Sequence, residues 1–158
     1  MMRILKSLLA VTVGLLCGIG FATAATAAAA GTLESADNGY HKQKVVYHIN
    51  DAERAGGALR NIQNHINAVG EKNVEIVVVT HSKGIDFLLD GWKDNKGKSY
   101  EGAVQNLANQ GVKFDVCNNT LNGRKIDRNR INLNATIVPS GVATLAELQL
   151  LGYAYIKP

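Results

Sequence analysis

Two periodicities of apolar residues alternate along the chain from about residue 44 to its end. Short β-branched or apolar runs, typical of buried strands, lie at 45–49, 74–80, 112–117, 135–138 and 153–156. Between them apolar residues recur every three or four positions, as on the buried face of a helix, at 59–69, 85–92, 100–110 and 142–151. Strands that alternate with helices predict an α/β domain with a mostly parallel sheet.

Two segments fit this pattern less well. The run at 112–117 carries Lys113 and Asp115 between apolar residues, so one face of that strand is predicted to be less buried than a central strand requires. Residues 121–133 have few apolar anchors, and we interpret them as a short exposed helix. Their basic residues are Arg124, Lys125, Arg128 and Arg130. This basic loop is expected to be a solvated surface, with contact to an anionic partner as the alternative.

The N-terminus has the pattern of a secretory leader. Arg3 and Lys6 precede an apolar run at 8–21, and small residues follow, including an Ala-Thr-Ala that ends at Ala24. We therefore predict cleavage near Ala24 and export to the periplasm. An uncleaved membrane anchor is the alternative, which the Ala/Thr/Gly-rich end of the run disfavours. The predicted organisation is a signal peptide at 1–24, a flexible tether at 25–43 and one α/β domain at 44–158.

Removal of the leader changes what the net charge indicates. The whole chain has a formal charge of +4, and loss of Arg3 and Lys6 lowers it to +2, because residues 1–24 contain no acidic side chain. A nearly neutral domain lacks the basic surface expected of a nucleic-acid-binding protein. We therefore expect no nucleic-acid partner, and no stable membrane insertion after cleavage.

The cysteine count singles out one residue. The chain has two cysteines, and Cys17 lies within the predicted leader, so Cys117 is left unpaired in a compartment where disulfides persist. Cys117 is interpreted as a reactive thiol, and a small buried apolar residue is the alternative. Reactivity requires a lowered thiol pKa. Either a neighbouring cation or a helix N-terminus must lower it, and the candidate cations are His48, His81, Arg124 and Lys125.

Polar residues follow the predicted strands at their carboxyl ends. Ligands of open parallel sheets bind at this edge, because loops and helix N-termini converge there. The candidate binding residues are His48, Asp51, His81, Asn118, Asn119, Ser140 and Gly141, together with Cys117 as the candidate catalytic residue. Each of them also fits an ordinary turn position, since polar and glycine residues are typical of strand ends.

Other chemical motifs are not found in the sequence. No Cys-x-x-Cys is present, which excludes a dithiol mechanism within one chain, and no glycine-rich nucleotide-binding motif occurs. The four histidines lack metal-ligand spacing, so we expect neither a metal nor a cofactor. A metal site made of His48, His81 and Cys117 remains as a minor alternative.

Four segments of the domain together resemble a known family. They read KVVYHIND at 44–51, LRNI at 59–62, GVKFDVCNNT at 111–120 and VPSG at 138–141. In these segments the chain is similar to the DsrE/DsrF-like family of sulfur-relay proteins, and the resemblance extends from about residue 44 to 158. Its most specific parts are the strand that ends in Cys117 and the later Val-Pro-Ser-Gly turn.

The resemblance implies a fold, an assembly and a chemistry. The fold is a three-layer α/β/α domain with a mostly parallel five-stranded sheet and flavodoxin-type winding, and the assembly is a homotrimer or homohexamer. The implied function is that of a sulfur carrier or sulfurtransferase, in which Cys117 accepts persulfide sulfur from donor proteins or small thiols and passes it on. Familiar relays of this family act in the cytoplasm, whereas this chain carries a predicted leader.

Two other functions stay open at the level of sequence. One is a non-catalytic, oligomeric binding module that uses the same strand ends, and in that case Cys117 is buried and slow to alkylate. The other is a redox-sensing thiol that forms intermolecular disulfides. Whether the protein is an enzyme is therefore left open by the sequence.

Overall fold

The computed structural model describes residues 39–158, and the helices and strands in this range follow the predicted order. The strands are β1 (Gln43–Asp51), β2 (Val74–Lys83), β3 (Lys113–Cys117), β4 (Ala135–Val138) and β5 (Ala154–Ile156). The helices are α1 (Ala55–Val69), α2 (Glu101–Asn109), α3 (Asn118–Arg124) and α4 (Gly141–Leu150). The leader predicted at 1–24, and the tether as far as residue 38, lie outside the described residues and stay predictions.

The five strands form one parallel sheet in the order β4-β3-β2-β1-β5. The predicted three-layer α/β fold with a five-stranded parallel sheet is therefore confirmed. In the flavodoxin order the second strand lies alone on the far side of β1. Here the last strand, β5, takes that position, while β2, β3 and β4 are added one after another on the other side.

The strand order explains how the helices are distributed. Crossover connections between parallel strands are right-handed, so the face on which a helix lies depends on the direction in which the chain moves along the sheet. The connections from β1 to β4 all move in one direction, whereas the connection from β4 to β5 returns. Helix α4 therefore packs on the opposite face from α1, where it contacts β1, β2 and β3.

The two faces differ in how much apolar side chain they bury. We call the face beneath α1, α2 and α3 the crowded face; its buried side chains include Tyr47, Ile62, Val78, Leu107, Phe114 and Leu121. We call the face beneath α4 the thin face; its buried cluster is Val46, Val77, Val79 and Leu145. Strand residues alternate between the faces, so Lys113 and Asp115 project to the thin face. Their position on that face accounts for the polar residues in β3.

Two glycines end the helices that the sequence predicts. Gly70 follows α1 with a φ of 91°, and Gly111 follows α2 with a φ of 88°. Residues with a side chain rarely adopt these angles, which makes glycine the usual residue beyond a helix end. The predicted ends of both helices are confirmed.

The helix predicted at 85–92 is wrong. Only a single 3-10 turn forms there, at Asp86–Leu88, and the chain then extends and pairs with a distant segment. Leu89 forms an antiparallel bridge with Ile131, and the Asp90 N–H donates to the Arg130 carbonyl at 2.8 Å. This long-range pairing satisfies backbone groups that a helix would have satisfied locally.

The exposed helix expected somewhere in 121–133 forms earlier than predicted. It is α3 (Asn118–Arg124), which begins at the residue after Cys117, and a 3-10 turn at Arg128–Arg130 follows it. Among residues 39–158, no helix combines the length and apolar character needed to cross a membrane.

Candidate functional site

Cys117 lies where β3 passes directly into α3. It is the last residue of the strand and the N-cap of the helix, with an extended backbone (φ −67°, ψ 114°). The free N–H groups of the first helical turn therefore point toward its side chain. Four donors act on its sulfur: the backbone N–H groups of Asn119 and Thr120, the Thr120 hydroxyl, and the N–H of Gly141 at the start of α4.

These hydrogen bonds decide the acidity of the thiol. Burial raises the pKa of Cys117, but the four hydrogen bonds together outweigh burial, and the pKa lies below the ordinary value. The cations expected at this position are not the main cause. Hydrogen bonds from two helix starts stabilise the thiolate in their place, which favours a nucleophilic sulfur.

The thiol is nevertheless poorly accessible in the single chain. Cys117 is 4% exposed and is the free cysteine of the described part of the chain. A nucleophile that attacks a partner's sulfur requires access as well as a low pKa. The prediction of a reactive thiol is thus supported by its hydrogen bonds and opposed by its burial.

Gly141 allows α4 to approach the strand ends closely. A Cβ added at Gly141 would lie 3.1 Å from the Cβ of Cys117, 3.3 Å from the carbonyl oxygen of Thr80 and 3.4 Å from the Cβ of His81. These distances are shorter than ordinary van der Waals contacts. Because glycine has no Cβ, the N–H of Gly141 can lie close to the Cys117 sulfur. The same distances show that Cys117 and His81 are neighbours on the thin face.

Thr120 is held in place by β2. Its Oγ1 accepts a hydrogen bond from the Ser82 N–H at 3.0 Å, which leaves the hydroxyl proton available for the sulfur. Ser82 has a φ of 54°, a left-handed conformation uncommon for a residue with a side chain. Its carbonyl accepts from the Arg124 guanidinium at 2.9 Å, so both backbone groups of Ser82 are bound to α3.

Two histidines of neighbouring strands meet on the thin face beside this cysteine. The Nε2 atoms of His48 on β1 and His81 on β2 are 2.6 Å apart. His48 Nδ1 bonds the hydroxyl of Tyr155 on β5 at 2.6 Å, and His81 Nδ1 bonds the Ser82 hydroxyl at 3.0 Å. The result is a continuous chain of a hydroxyl, two imidazoles and a second hydroxyl.

Both imidazoles resist a second proton. Burial, together with the charges of His81 and Lys157, lowers the pKa of His48 to about 4. The pKa of His81 is lowered as well, first by burial and then by Lys157. Because the two Nε2 atoms are in hydrogen-bond contact, one of them carries a proton and the other accepts it. Near neutral pH both rings are therefore uncharged. Each ring has one N–H, and one of these two protons lies in the hydrogen bond between the Nε2 atoms.

The remaining predicted residues have structural contacts. Asp51 accepts the Glu53 N–H at 3.1 Å and caps the 3-10 turn after β1. Ser140 accepts the Ala143 N–H at 3.4 Å and is the N-cap of α4. Asn118 accepts a hydrogen bond from Arg128 at 2.6 Å. The structure thus brings His48, His81, Asn119 and Gly141 to Cys117 or its neighbours, whereas Asp51 and Ser140 serve as caps.

Three residues of this arrangement were not among the predicted binding residues. Thr120 follows Cys-Asn-Asn directly, so its hydroxyl could have been inferred from the start of a helix after a strand. Ser82 follows His81 at a strand end and was a weaker signal of the same kind. Tyr155 joins the site because β5 lies beside β1, and no local pattern in the sequence indicates that neighbour.

The basic loop supports the site from one side. Arg124 bonds Asp86 at 2.7 Å as well as the Ser82 carbonyl, and Arg128 bonds Asn118. Both arginines therefore hold the start of α3 and the end of β2 in position. Within residues 39–158, no three His, Cys, Asp or Glu side chains converge as a metal site requires.

Comparisons with known proteins agree with this fold. MTH1491 of Methanobacterium thermoautotrophicum, a protein of unknown function, is 31% identical with a TM-score of 0.65, over 73% of this chain and 99% of its own. The E. coli ychN protein is 21% identical with a TM-score of 0.62, over the same shares, and shows the fold alone. No curated protein matches the chain significantly. The sequence matches the DsrE/DsrF-like family over residues 18–158, and the chain belongs to that family.

Proposed function

We propose that this protein is an exported sulfur carrier that holds persulfide sulfur on Cys117. Membership of a family linked to sulfur relay supplies the class of chemistry. The observation that carries the proposal is the position of Cys117 between β3 and α3 and against Gly141, where backbone and hydroxyl donors lower its pKa in spite of burial. A thiolate in this setting is suited to exchange of sulfur with other thiols.

The proposed reaction consists of two thiol exchanges. In loading, the Cys117 thiolate attacks the outer sulfur of a donor persulfide R–S–SH; the donor's S–S bond breaks, and R–S⁻ leaves with the electron pair. In delivery, an acceptor thiolate attacks the outer sulfur of Cys117–S–SH and releases the Cys117 thiolate. Neither step needs a metal, a cofactor or an external oxidant, because each S–S bond that breaks is replaced by another.

The proposal includes partners, assembly and location. The partners are sulfur donor and acceptor proteins or small thiols, and the periplasmic location follows from the predicted leader. We include a homotrimer or homohexamer, as the family resemblance implies. Large apolar side chains remain exposed on and near α4, which supports contact with further copies. They are Val142, Leu150 and Leu151.

A second candidate function is favoured by the burial of Cys117. With 4% exposure the thiol resembles a small core residue, and a non-catalytic binding module would use the same strand ends without covalent chemistry. A redox-sensing thiol fits less well, because an intermolecular disulfide requires both sulfurs to be accessible.

Loading with sulfur tests the proposal directly. The protein is incubated with glutathione persulfide, and mass spectrometry of intact protein and peptides measures added sulfur on Cys117. We expect one added sulfur atom, removable by a second thiol. The matched variants are Cys117→Ser, which should not load, and, in a chain that keeps the leader, Cys17→Ser, which removes the other cysteine and should load as the original does.

The pH dependence of alkylation separates the two candidate functions. A sulfur carrier should react with iodoacetamide along a titration curve whose pKa lies below that of a free cysteine. Absence of both sulfur loading and alkylation in the folded protein would reject the carrier and support the binding module.

A further inference from the structure

The histidine pair forms the middle of a hydrogen-bond chain that is open at both ends. Tyr155, at one end, is 42% exposed, and Ser82, at the other end, is exposed and bound to Thr120 through its N–H. Thr120 in turn donates its hydroxyl proton to the Cys117 sulfur. The chain of Tyr155, His48, His81 and Ser82 therefore runs from solvent at the edge of the sheet to the neighbourhood of Cys117.

The protons of this hydrogen-bond chain can be placed in two ways, and the same hydrogen bonds are made in both. In the inward arrangement Tyr155 donates to His48, His48 to His81, and His81 to Ser82. In the outward arrangement every hydrogen bond has the opposite donor. Each group is both a donor and an acceptor in either arrangement. One arrangement becomes the other when each proton moves across one hydrogen bond, and no ring acquires a charge.

Burial and neighbouring charges both disfavour a net positive charge on the His48–His81 pair. His48 and His81 are next to one another, and Lys157 is the further charged group that acts on both rings. A proton that enters at one end is therefore accompanied by the departure of another at the opposite end. This behaviour is that of a proton relay, and it differs from that of a single histidine base, which becomes charged.

We propose that Tyr155, His48, His81 and Ser82 form a proton relay that serves the thiol exchanges at Cys117. The inference rests on the proposed function and adds the route of the protons to it. A donor or acceptor thiol, small or protein-borne, that binds at the strand ends displaces water from Ser82, and Tyr155 gives the proton a path to solvent at the edge strand.

The two exchanges use the relay in opposite directions. During loading, Ser82 in the inward arrangement donates a proton to the leaving R–S⁻, water supplies a proton to Tyr155, and the chain ends in the outward arrangement. During delivery, the acceptor R′–SH gives its proton to Ser82, Tyr155 releases one to water, and the inward arrangement returns. One proton is taken up and one is released per cycle, so the relay resets itself.

Tyr155→Phe interrupts the relay at its solvent end. The test uses the full chain, glutathione persulfide as donor and 2-mercaptoethanol as acceptor, and measures the loading and delivery rates as functions of pH. Well below the pKa of the acceptor thiol, we expect delivery by the variant to be roughly tenfold or more slower, the low end of typical acid–base contributions. Above that pKa the acceptor is already a thiolate, and the two rates should converge.

Tyr47→Phe is the matched control. Tyr47 bonds His65 Nδ1 at 2.9 Å on the crowded face, so this variant also loses a tyrosine–histidine hydrogen bond, but not one that leads to Cys117. Ser82→Gly breaks the relay at its other end, and glycine suits the φ of 54° there. We expect Ser82→Gly to reproduce the pH profile of Tyr155→Phe. Alkylation of Cys117 by iodoacetamide, which needs no relayed proton, should be unchanged in Tyr155→Phe.

The outcomes separate the relay from the carrier. If Tyr155→Phe and Ser82→Gly transfer sulfur at the same rates and with the same pH profile as the control Tyr47→Phe, the relay is overturned. The proposed sulfur-carrier function would still stand. Failure of the unmodified protein to load sulfur would reject the carrier, and the relay with it. Slower delivery confined to low pH in both relay variants supports the relay.

Discussion

The two faces of the sheet differ in the side chains that they bury. The crowded face buries a continuous apolar cluster under α1, α2 and α3, whereas the thin face buries a few valines and Leu145 under α4 alone. His48, His81 and Cys117 all belong to the thin face, and Asp115, whose pKa burial raises, lies there as well. The difference follows from the strand order. The connection from β4 to β5 is the one that returns across the sheet, so it places α4 alone on the thin face, whereas the crowded face receives α1, α2 and α3.

If the proposed function holds, this division separates the side chains that stabilise the fold from those that carry out the chemistry. Polar side chains buried under several helices would lose water and would need full compensation. Under one helix, the histidines and the thiol are bound to hydroxyls and backbone N–H groups and remain near the carboxyl ends of the strands. We therefore expect substitutions on the crowded face to affect mainly stability, and those on the thin face mainly reactivity.

The largest expected effect is on the crowded face. Phe114→Ala removes a fully buried ring from β3, and we expect the free energy of unfolding to fall by about 3–5 kcal/mol, as for other buried aromatic residues. Leu145→Ala, its counterpart under α4, should cost about 2 kcal/mol, the low end for a buried leucine. Urea denaturation measures both. A greater loss for Leu145→Ala would mean that the thin face carries more of the stability than its cluster indicates.

The next effect is a loss of stability in acid through His48. An imidazole in the unfolded chain has a pKa near 6.5, whereas the pKa of the folded His48 is about 4. Between these values the unfolded chain binds the extra proton, so acidification favours unfolding, and this contribution is fully present only above about pH 6.5. We expect Tm to fall from pH 7 to pH 4.

Variants on the two faces sharpen this prediction. His48→Gln should remove more of the pH dependence than His65→Gln, since burial lowers the pKa of His65 too, but less. Thermal unfolding followed by circular dichroism at a series of pH values measures the difference. An equal flattening of the curve by both variants would contradict the assignment to the thin face.

The smallest expected effect is a change in thiol reactivity with little loss of stability. Thr120→Val keeps the shape of the side chain but removes the hydroxyl that donates to Cys117, so the pKa of Cys117 should rise. A hydrogen bond to a charged group contributes roughly 1.5 kcal/mol, so its loss should lower the thiolate fraction, and with it the alkylation rate near neutral pH, about tenfold. Thr144→Val loses a hydroxyl bonded to the Ser140 carbonyl within α4, and is the control. Equal alkylation rates for the two variants would exclude the role of Thr120.

Local patterns predicted most of the fold. The β-branched runs identified all five strands, and the spacing before Gly70 and Gly111 identified α1 and α2, because these elements bury one consistent set of side chains. The pattern failed at 85–92, where apolar residues at helical spacing are used in a turn and in pairing with Ile131. That outcome depends on a partner about forty positions away, which no local window contains.

The candidate site was predicted in part. Strand ends located His48, His81, Cys117 and Gly141 correctly as neighbours, because parallel strands share one carboxyl edge. Of the two causes predicted for a lowered thiol pKa, a helix N-terminus and a nearby cation, the donors at helix starts act, and the named cations are not the main cause.

The position of β5 has a consequence for the order in which the molecule is completed. The hydrogen bond between His48 and Tyr155 joins residues that are 107 positions apart, and β5 pairs with β1 through only three residues. Such a contact can form only once the last strand of the chain is present, and pairing between residues so distant in sequence slows folding. A nascent or truncated chain that ends before β5 therefore leaves β1 as an open edge and His48 without its hydroxyl, so closure of the sheet and completion of the histidine chain are a single event.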